Sequence, residues 1–148
     1  MKKEKHFIIE LDNFDSIVRF FENHLKSCRV FAFYGPLGAG KTTLIRQFLR
    51  ARGVCDSITS PTFTYVNLYK NASGEKFYHF DLYRIENLKD FLAAGFDEYL
   101  HDEEGWSFIE WPEVIEPVLK AIEKKGICKI TIDYMKEPNK RKVSCTVY

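Results

Sequence analysis

The chain alternates short apolar runs with segments whose apolar residues recur at helical spacing. The first run, residues 7–11, is predicted to be a strand, and the segment after it, with Asn13 as a candidate cap and its apolar positions on one broad face, is predicted to be a helix. The second run, residues 30–34, has no polar alternation, as expected of a central parallel strand buried on both faces. A helix is predicted from about residue 41 to 52, ending at Gly53, which tolerates a left-handed backbone.

The second half of the chain continues this alternation of strands and helices. Two runs rich in β-forming residues flank the turn formers Asn71, Ser73 and Gly74, which predicts an antiparallel hairpin. The elements predicted after Gly53 are, in chain order, a hairpin of 63–69 and 76–81, helical pieces over 82–100 interrupted at Gly95, a strand over 106–111, a helix over 113–125 disturbed at Pro117, and a closing hairpin of 128–134 and 143–148. This order predicts an α/β fold with a mostly parallel central sheet, antiparallel additions and covering helices.

Length and composition indicate one folded domain over residues 1–148. A chain of 148 residues buries a substantial core without disulfides or a structural metal. Apolar residues make up 45% of the chain and charged residues 29%, which excludes intrinsic disorder and low-complexity sequence. The formal charge of +1 provides no overall field that would hold a polyanion. No DNA partner is therefore expected, and any contact with RNA must be local.

The cysteines and the amino-terminal residues favour a cytoplasmic protein without a membrane segment. The four cysteines and four histidines are scattered without the spacing of a zinc site, and unpaired cysteines fit a reducing compartment. The first residues are basic, but only three apolar residues follow before Glu10, too few for a signal peptide or a membrane span.

Residues 35–42, GPLGAGKT, match the phosphate-binding pattern GxxxxGK[ST] at every fixed position. The motif follows a predicted buried strand and opens a predicted helix, which is the context that it requires. Its glycines allow backbone N–H groups to point inward as an anion-binding nest at the positive end of the helix. Lys41 is expected to reach the terminal phosphates, and the Thr42 hydroxyl is expected to bind Mg²⁺. The expected ligand is a nucleoside triphosphate, with ATP preferred because no NKxD guanine-recognition motif is present.

Three further residues are candidates for hydrolysis of this nucleotide. Asp81 ends a predicted strand, where its carboxylate would reach the metal; the alternative is an aspartate that caps a turn. Glu110 is expected at the carboxyl end of its strand, where open α/β sheets bind ligands; the alternative is a solvent-facing glutamate. Thr62 follows the predicted helix, in a loop where nucleotide-sensing switches occur; the alternative is a turn guided by Pro61.

Four sequence blocks in this order resemble the TsaE (YjeE) family of small bacterial ATPases. The blocks are GPLGAGKTTL, SPTFTYVNLY, YHFDLYR and FIEWPE, within residues 30–113. The resemblance implies a P-loop NTPase-like three-layer sandwich that hydrolyses ATP weakly alone and faster with partners. The implied process is tRNA N6-threonylcarbamoyladenosine (t6A) biosynthesis, with the TsaB and TsaD proteins as partners and tRNA contacted indirectly through their complex. ATP and Mg²⁺ are the implied cofactors.

The resemblance also implies roles for individual residues, including a switch-like loop at Thr62 and a position beside the nucleotide for Trp111. The implied catalytic residues are Lys41, Thr62, Asp81 and Glu110. The implied metal ligands are Thr42, Asp81 and Glu110. The residues expected to bind the nucleotide are Gly35, Pro36, Leu37, Gly38, Ala39, Gly40, Lys41, Thr42, Thr43 and Trp111.

Two other functions remain open from the residues alone. A P-loop kinase would transfer the terminal phosphoryl group to a small acceptor, but such enzymes usually need an arginine-bearing lid, and between Asp81 and Trp106 the sequence has only Arg84. A non-catalytic module would bind a nucleotide to control a protein interaction. In that case Glu110→Ala would cause no loss of ATP hydrolysis, because the chain would not hydrolyse ATP. The basic run 136–142 is expected to be a solvated hairpin tip rather than an RNA contact.

Overall fold

The computed structural model describes residues 2–61 and 63–148 and is built around a seven-stranded sheet. The strands are β1 (Lys3–Glu10), β2 (Val30–Tyr34), β3 (Val66–Lys70), β4 (Lys76–Asp81), β5 (Gly105–Glu110), β6 (Ile127–Tyr134) and β7 (Lys140–Val147). The helices are α1 (Asp15–His24), α2 (Lys41–Ala51), α3 (Leu88–Ala93), α4 (Asp97–Leu100) and α5 (Glu116–Ala121), with short 3₁₀ helices at Pro112–Ile115 and Glu123–Lys125. Among the described residues, no helix is long and apolar enough to cross a lipid bilayer.

The sheet is parallel in its centre and antiparallel at both edges. The strand order is β1-β7-β6-β2-β5-β4-β3, and β6, β2, β5 and β4 run parallel. Strands β7 and β1 extend one side in antiparallel fashion, and β3 extends the other. The predicted arrangement, a mostly parallel central sheet with antiparallel additions, is confirmed. Because β2 lies between two strands and under helices on both faces, its first four residues are buried.

Helices cover both faces of the sheet, which makes the predicted three-layer sandwich. Helices α1 and α2 lie over one face, where the rings of Phe21, Phe31, Phe48 and Phe108 contact one another at centroid distances of 5.1 to 6.5 Å. The other face carries a second apolar cluster, including Phe91 of α3. Each fully buried phenylalanine contributes roughly 1.5–3 kcal/mol by removal from water, so these rings are a main source of stability.

Strand boundaries at the sheet edges differ from the predicted ones. β1 begins at Lys3 rather than at residue 7, because its eight residues all pair with β7, from Lys3 opposite Val147 to Glu10 opposite Lys140. The charged side chains in the first half of β1 face solvent, as is common on an edge strand. The apolar pattern of the sequence therefore does not indicate that these residues belong to a strand. β3 begins at Val66 rather than at residue 63.

The segment after β5 also differs from its prediction. β5 ends at Glu110, so Trp111 lies outside the strand, and a 3₁₀ helix begins at Pro112. The prediction of a helical segment over 113–125 is confirmed, but the segment divides into a 3₁₀ helix, α5 and a second 3₁₀ helix. Pro117 lies in the first turn of α5, where its missing N–H costs no hydrogen bond, so it starts a helix rather than disturbing one.

Candidate functional site

The loop between β2 and α2 uses backbone conformations that favour glycine. Gly38 and Gly40 have φ angles of 75° and 108°, in the left-handed region that residues with a Cβ rarely adopt. A Cβ on Gly35 would lie 2.5 Å from the carbonyl oxygen of Ile132, so the loop passes directly against β6. Gly40 is also the N-cap of α2, which places the positive end of that helix at the end of the loop.

Lys41, the first residue of α2, is buried within the curve of this loop, with 5% of its surface exposed. Its Nζ donates to the carbonyl oxygens of Gly35 at 2.5 Å and Pro36 at 3.0 Å, and it lies 3.9 Å from the centroid of the Trp111 ring. Burial lowers the pKa of Lys41, while nearby carboxylates, that of Glu110 foremost, oppose this shift. Phosphate oxygens would offer this desolvated ammonium stronger, charged partners than the carbonyl groups do.

The two carboxylates predicted from the sequence lie side by side at the carboxyl ends of β4 and β5. Asp81 and Glu110 are neighbours in the parallel register of these strands. Glu110 is 3% exposed, so the alternative of a solvent-facing glutamate is wrong. The Thr42 hydroxyl donates to Glu110 Oε1 at 2.7 Å, which joins the first turn of α2 to β5. Asp81 Oδ1 accepts from the Tyr83 N–H at 3.0 Å, so this carboxylate also caps the turn after β4.

Two side chains that the sequence analysis did not identify complete the polar part of the site. His79 on β4 is fully buried, and its Nε2 lies 2.6 Å from Glu110 Oε2. The Ser60 hydroxyl donates to Asp81 Oδ2. Alternate residues of a strand share a face, so a histidine two positions before Asp81 in an apolar run points to the same side of the sheet. That alternation is the signal by which His79 can be found; Ser60, on a loop, carries no comparable signal.

Trp111 follows β5 in a left-handed backbone conformation, with φ 56° and ψ 54°. Such a conformation costs a residue with a Cβ about 1–3 kcal/mol and persists where the surrounding structure compensates for it. Here the indole ring contacts the Lys41 ammonium and lies 4.9 Å from the Tyr83 ring, measured between centroids. The backbone turn therefore brings an aromatic ring over the lysine of the loop.

Most of these groups line one cleft of about 280 Å³. Its lining residues are Leu37, Gly38, Ala39, Gly40, Lys41, Thr42, Thr43, Ser60, Asp81, Glu110 and Trp111. Gly35 and Pro36 contribute carbonyl groups to Lys41, and Thr62 lies outside the described residues. The chemistry of the donor set fits the expected ligands, since loop N–H groups and an ammonium suit phosphate, and hydroxyl and carboxylate oxygens suit Mg²⁺.

A buried parallel strand, a glycine-containing loop and a helix that begins with lysine and threonine together define a P-loop nucleotide-binding protein. Comparison with known families agrees with this class. A family model described as "Threonylcarbamoyl adenosine biosynthesis protein TsaE" matches residues 9–143, so the chain belongs to the TsaE family.

Individual relatives and a solved structure support the same assignment. The chain is 37% identical over 103 residues to the tRNA threonylcarbamoyladenosine biosynthesis protein TsaE of Borreliella burgdorferi, covering 70% of this chain and 72% of that protein. It is 34% identical over 119 residues to the protein of the same name from Bacillus subtilis, covering 80% and 73%. The crystal structure of Bacillus subtilis YdiB superposes with a TM-score of 0.71 at 25% identity, covering 99% of this chain and 86% of that one. The resemblance inferred from the four sequence blocks is confirmed.

Proposed function

We propose that this chain hydrolyses ATP in the presence of Mg²⁺ as the ATPase of tRNA t6A biosynthesis. The observation that carries the proposal is the 2.7 Å contact between the Thr42 hydroxyl and the buried Glu110 carboxylate, at the end of the phosphate-binding loop. A hydroxyl and a carboxylate at this point are ligands for the ion that accompanies ATP, which favours a metal-dependent reaction over phosphate binding alone. Membership of the TsaE family supports the pathway.

Four side chains of the cleft have roles in this reaction, namely those of Lys41, Thr42, Asp81 and Glu110. The Lys41 ammonium exchanges its carbonyl partners for the terminal phosphate oxygens of ATP, and the positive end of α2 adds to that attraction. Thr42, Glu110 and Asp81 would hold Mg²⁺, which withdraws charge from the phosphoryl group when bound. Thr62 is the candidate switch residue. Water accepts the phosphoryl group, and ADP and phosphate are the products.

We further propose that hydrolysis is slow in the isolated chain and faster with TsaB and TsaD, and that tRNA is contacted through their complex. The net charge of +1 supports the absence of a broad RNA-binding surface. Within the basic run 136–142, Arg141 is 7% exposed and its Nε donates to the Ala39 carbonyl, so one of the basic groups faces the loop rather than solvent. A cytoplasmic setting is supported by the unpaired state of Cys28, Cys55, Cys128 and Cys145.

The measurement that tests this function is phosphate release from ATP by the chain alone and then with purified TsaB, TsaD and tRNA. Turnover is expected to rise when the partners are added. Lys41→Ala is expected to reduce turnover by about two to three orders of magnitude, the scale for removal of a preorganised charge-stabilising group. Lys89→Ala removes an exposed lysine from α3 and is the matched control, for which turnover should not change.

Glu110→Gln separates catalysis from binding. The amide keeps the shape of the side chain but loses the negative charge that a metal requires, so turnover should fall more than nucleotide affinity. Glu103→Gln, at an exposed position, is the control. A loss confined to melting temperature would contradict a catalytic role for Glu110. ADP formation that depends on a small acceptor would favour a kinase, and nucleotide binding without turnover, partners included, would favour a non-catalytic module.

A further inference from the structure

Two side chains of the β6–β7 hairpin reach the phosphate-binding loop from outside the cleft. The Tyr134 hydroxyl donates to the carbonyl oxygen of Leu37 at 2.5 Å, and Arg141 Nε donates to the carbonyl oxygen of Ala39 at 3.1 Å. Tyr134 and Arg141 are opposite each other in the antiparallel register of β6 and β7, and the guanidinium carbon lies 4.7 Å from the centroid of the tyrosine ring. They therefore act as one unit, which we call the hairpin pair.

The Arg141 guanidinium is held by backbone carbonyl groups. Only 7% of this residue is exposed, and Nη1 donates at 2.8 Å to the carbonyl oxygens of both Pro138 and Lys140. Burial of a charged group is costly unless hydrogen bonds replace its hydration, and here the acceptors come from the turn of the hairpin and from the loop. The hairpin pair thus links two segments that are about a hundred residues apart in the chain.

Because peptide bonds are planar and trans, these two hydrogen bonds to carbonyl groups also fix the direction of the N–H groups that follow them in the loop. The C=O of one residue and the N–H of the next point in opposite directions across a planar peptide unit, and the described residues contain no cis peptide bond. A Leu37 carbonyl directed at Tyr134 therefore directs the Gly38 N–H away from the hairpin. The Ala39 carbonyl, held by Arg141, directs the Gly40 N–H in the same way.

The side away from the hairpin is the cleft. Leu37 to Gly40 line it, whereas neither member of the hairpin pair is among its lining residues. The intervening amide, that of Ala39, donates to the carbonyl oxygen of Pro36 at 3.2 Å within the loop. The two N–H groups that the hairpin pair orients are therefore donors aimed at the region where phosphate is expected.

We propose that Tyr134 and Arg141 are positioning residues that hold the Gly38 and Gly40 amides toward the nucleotide phosphates before the nucleotide binds. This inference rests on the proposed function, because it names residues that prepare the same site. A loop that already has its bound shape loses less conformational freedom when the ligand arrives, which strengthens binding. The amides contact phosphates in the ground state as well as in the transition state, so the benefit is in affinity rather than in kcat.

Tyr134→Phe removes the hydroxyl alone, from a residue that is 52% exposed, so folding should be unaffected. Loss of this hydrogen bond is expected to weaken binding of both ATP and ADP by about two- to tenfold, with KM raised to match and kcat unchanged. Tyr99→Phe makes the same chemical change on α4, away from the cleft, and should alter neither quantity. Calorimetric titration with each nucleotide in the presence of Mg²⁺ gives the affinities.

The ¹⁵N order parameters of the loop amides in nucleotide-free protein are the second measurement, and they do not depend on activity. The order parameter of the Gly38 amide should be lower in Tyr134→Phe than in the unmodified protein, and that of the Gly40 amide should be lower in Arg141→Lys, which keeps a positive charge but loses the guanidinium Nε. Neither change is expected in Tyr99→Phe.

The outcomes separate the two proposals. If the unmodified protein binds nucleotide and Tyr134→Phe binds it equally well, with an unchanged order parameter at Gly38, the hairpin pair has no positioning role. If the unmodified protein binds no nucleotide, the proposed function fails, and the order parameters in nucleotide-free protein still decide whether Tyr134 and Arg141 order the loop. A lower kcat at unchanged affinity would also overturn the inference.

Discussion

Glu110 is the residue at which the elements of the site meet. Its carboxylate is almost completely buried, yet each oxygen has its own partner, Thr42 Oγ1 at 2.7 Å and His79 Nε2 at 2.6 Å. A buried carboxylate without such partners would be strongly destabilising. The two contacts also restrict rotation of the carboxyl group, so that Oε1 remains beside the first turn of α2.

His79 is expected to act on Glu110 through Nε2. The amide nitrogen of glutamine can replace Nε2, whereas leucine leaves the Glu110 oxygen without this partner. If Glu110 holds Mg²⁺ as proposed, turnover should therefore fall by about 10- to 100-fold in His79→Leu, the scale for loss of a group that orients a metal ligand, and should be largely retained in His79→Gln. Steady-state kinetics with parallel thermal melts make the comparison. Equal impairment of both variants would show that ring shape, not the contact with Glu110, matters.

At the scale of elements, a polar cluster joins β4 to the segment that precedes β5. Lys76 Nζ and the Tyr78 hydroxyl donate to Asp102 Oδ2 at 2.8 and 2.5 Å. Hydrogen bonds from Lys76 and then Tyr78 hold the pKa of Asp102 at about 2, below its ordinary 3.8. The cluster lies at the opposite end of β4 from Asp81, so it supports the alignment of the two strands without entering the cleft.

This cluster predicts a pH-dependent contribution to stability. Because the folded-state pKa of Asp102 lies below the unfolded value, the contribution is present above about pH 4 and is lost as the pH falls through about 2. Asp102→Asn should lower the melting temperature by about 2–4 °C at pH 7 and by clearly less at pH 3. Thermal melts at the two pH values, with the exposed Asp12→Asn as control, test this. An equal shift at both would contradict the assigned cause.

At the scale of the whole molecule, the two apolar clusters share one sheet. Adjacent residues of β5 illustrate this, since Phe108 belongs to the cluster under α1 and α2 and Ile109 to the cluster under α3, α4 and α5. Neither cluster can lose its helices without exposing strands that also support the other. We therefore propose that residues 1–148 fold as a single cooperative domain.

The two tryptophans provide a test of this cooperativity, because each reports on one face. Trp106 packs against the first cluster and Trp111 against the second. In Trp106→Phe and Trp111→Phe, each with one remaining tryptophan, the urea midpoint from fluorescence should equal the midpoint from far-ultraviolet circular dichroism. Fluorescence that changes before the circular dichroism in either variant would instead indicate that one face unfolds separately.

Elements encoded by consecutive residues were predicted from the sequence, whereas those that depend on pairing between distant strands were not. The buried strand β2, the glycine-containing loop and the start of α2 were predicted because their signals lie in one contiguous stretch. The start of β1 was not, since its charged residues become a strand by pairing with β7 at the far end of the chain. Asp81 and Glu110 were identified as candidates by their positions at strand ends, but their adjacency requires β4 and β5 to be neighbours.

The sequence by itself determined the strand, loop and helix that form the phosphate-binding site, because glycine freedom, strand burial and helix initiation are properties of consecutive residues. The tertiary structure alone decided which groups surround that site. The Glu110 contacts with Thr42 and His79 span 68 and 31 residues, and those of Tyr134 and Arg141 with the loop span 97 and 102. Such contacts depend on the order in which strands pair, with β2 between β5 and β6, and no local pattern encodes that order.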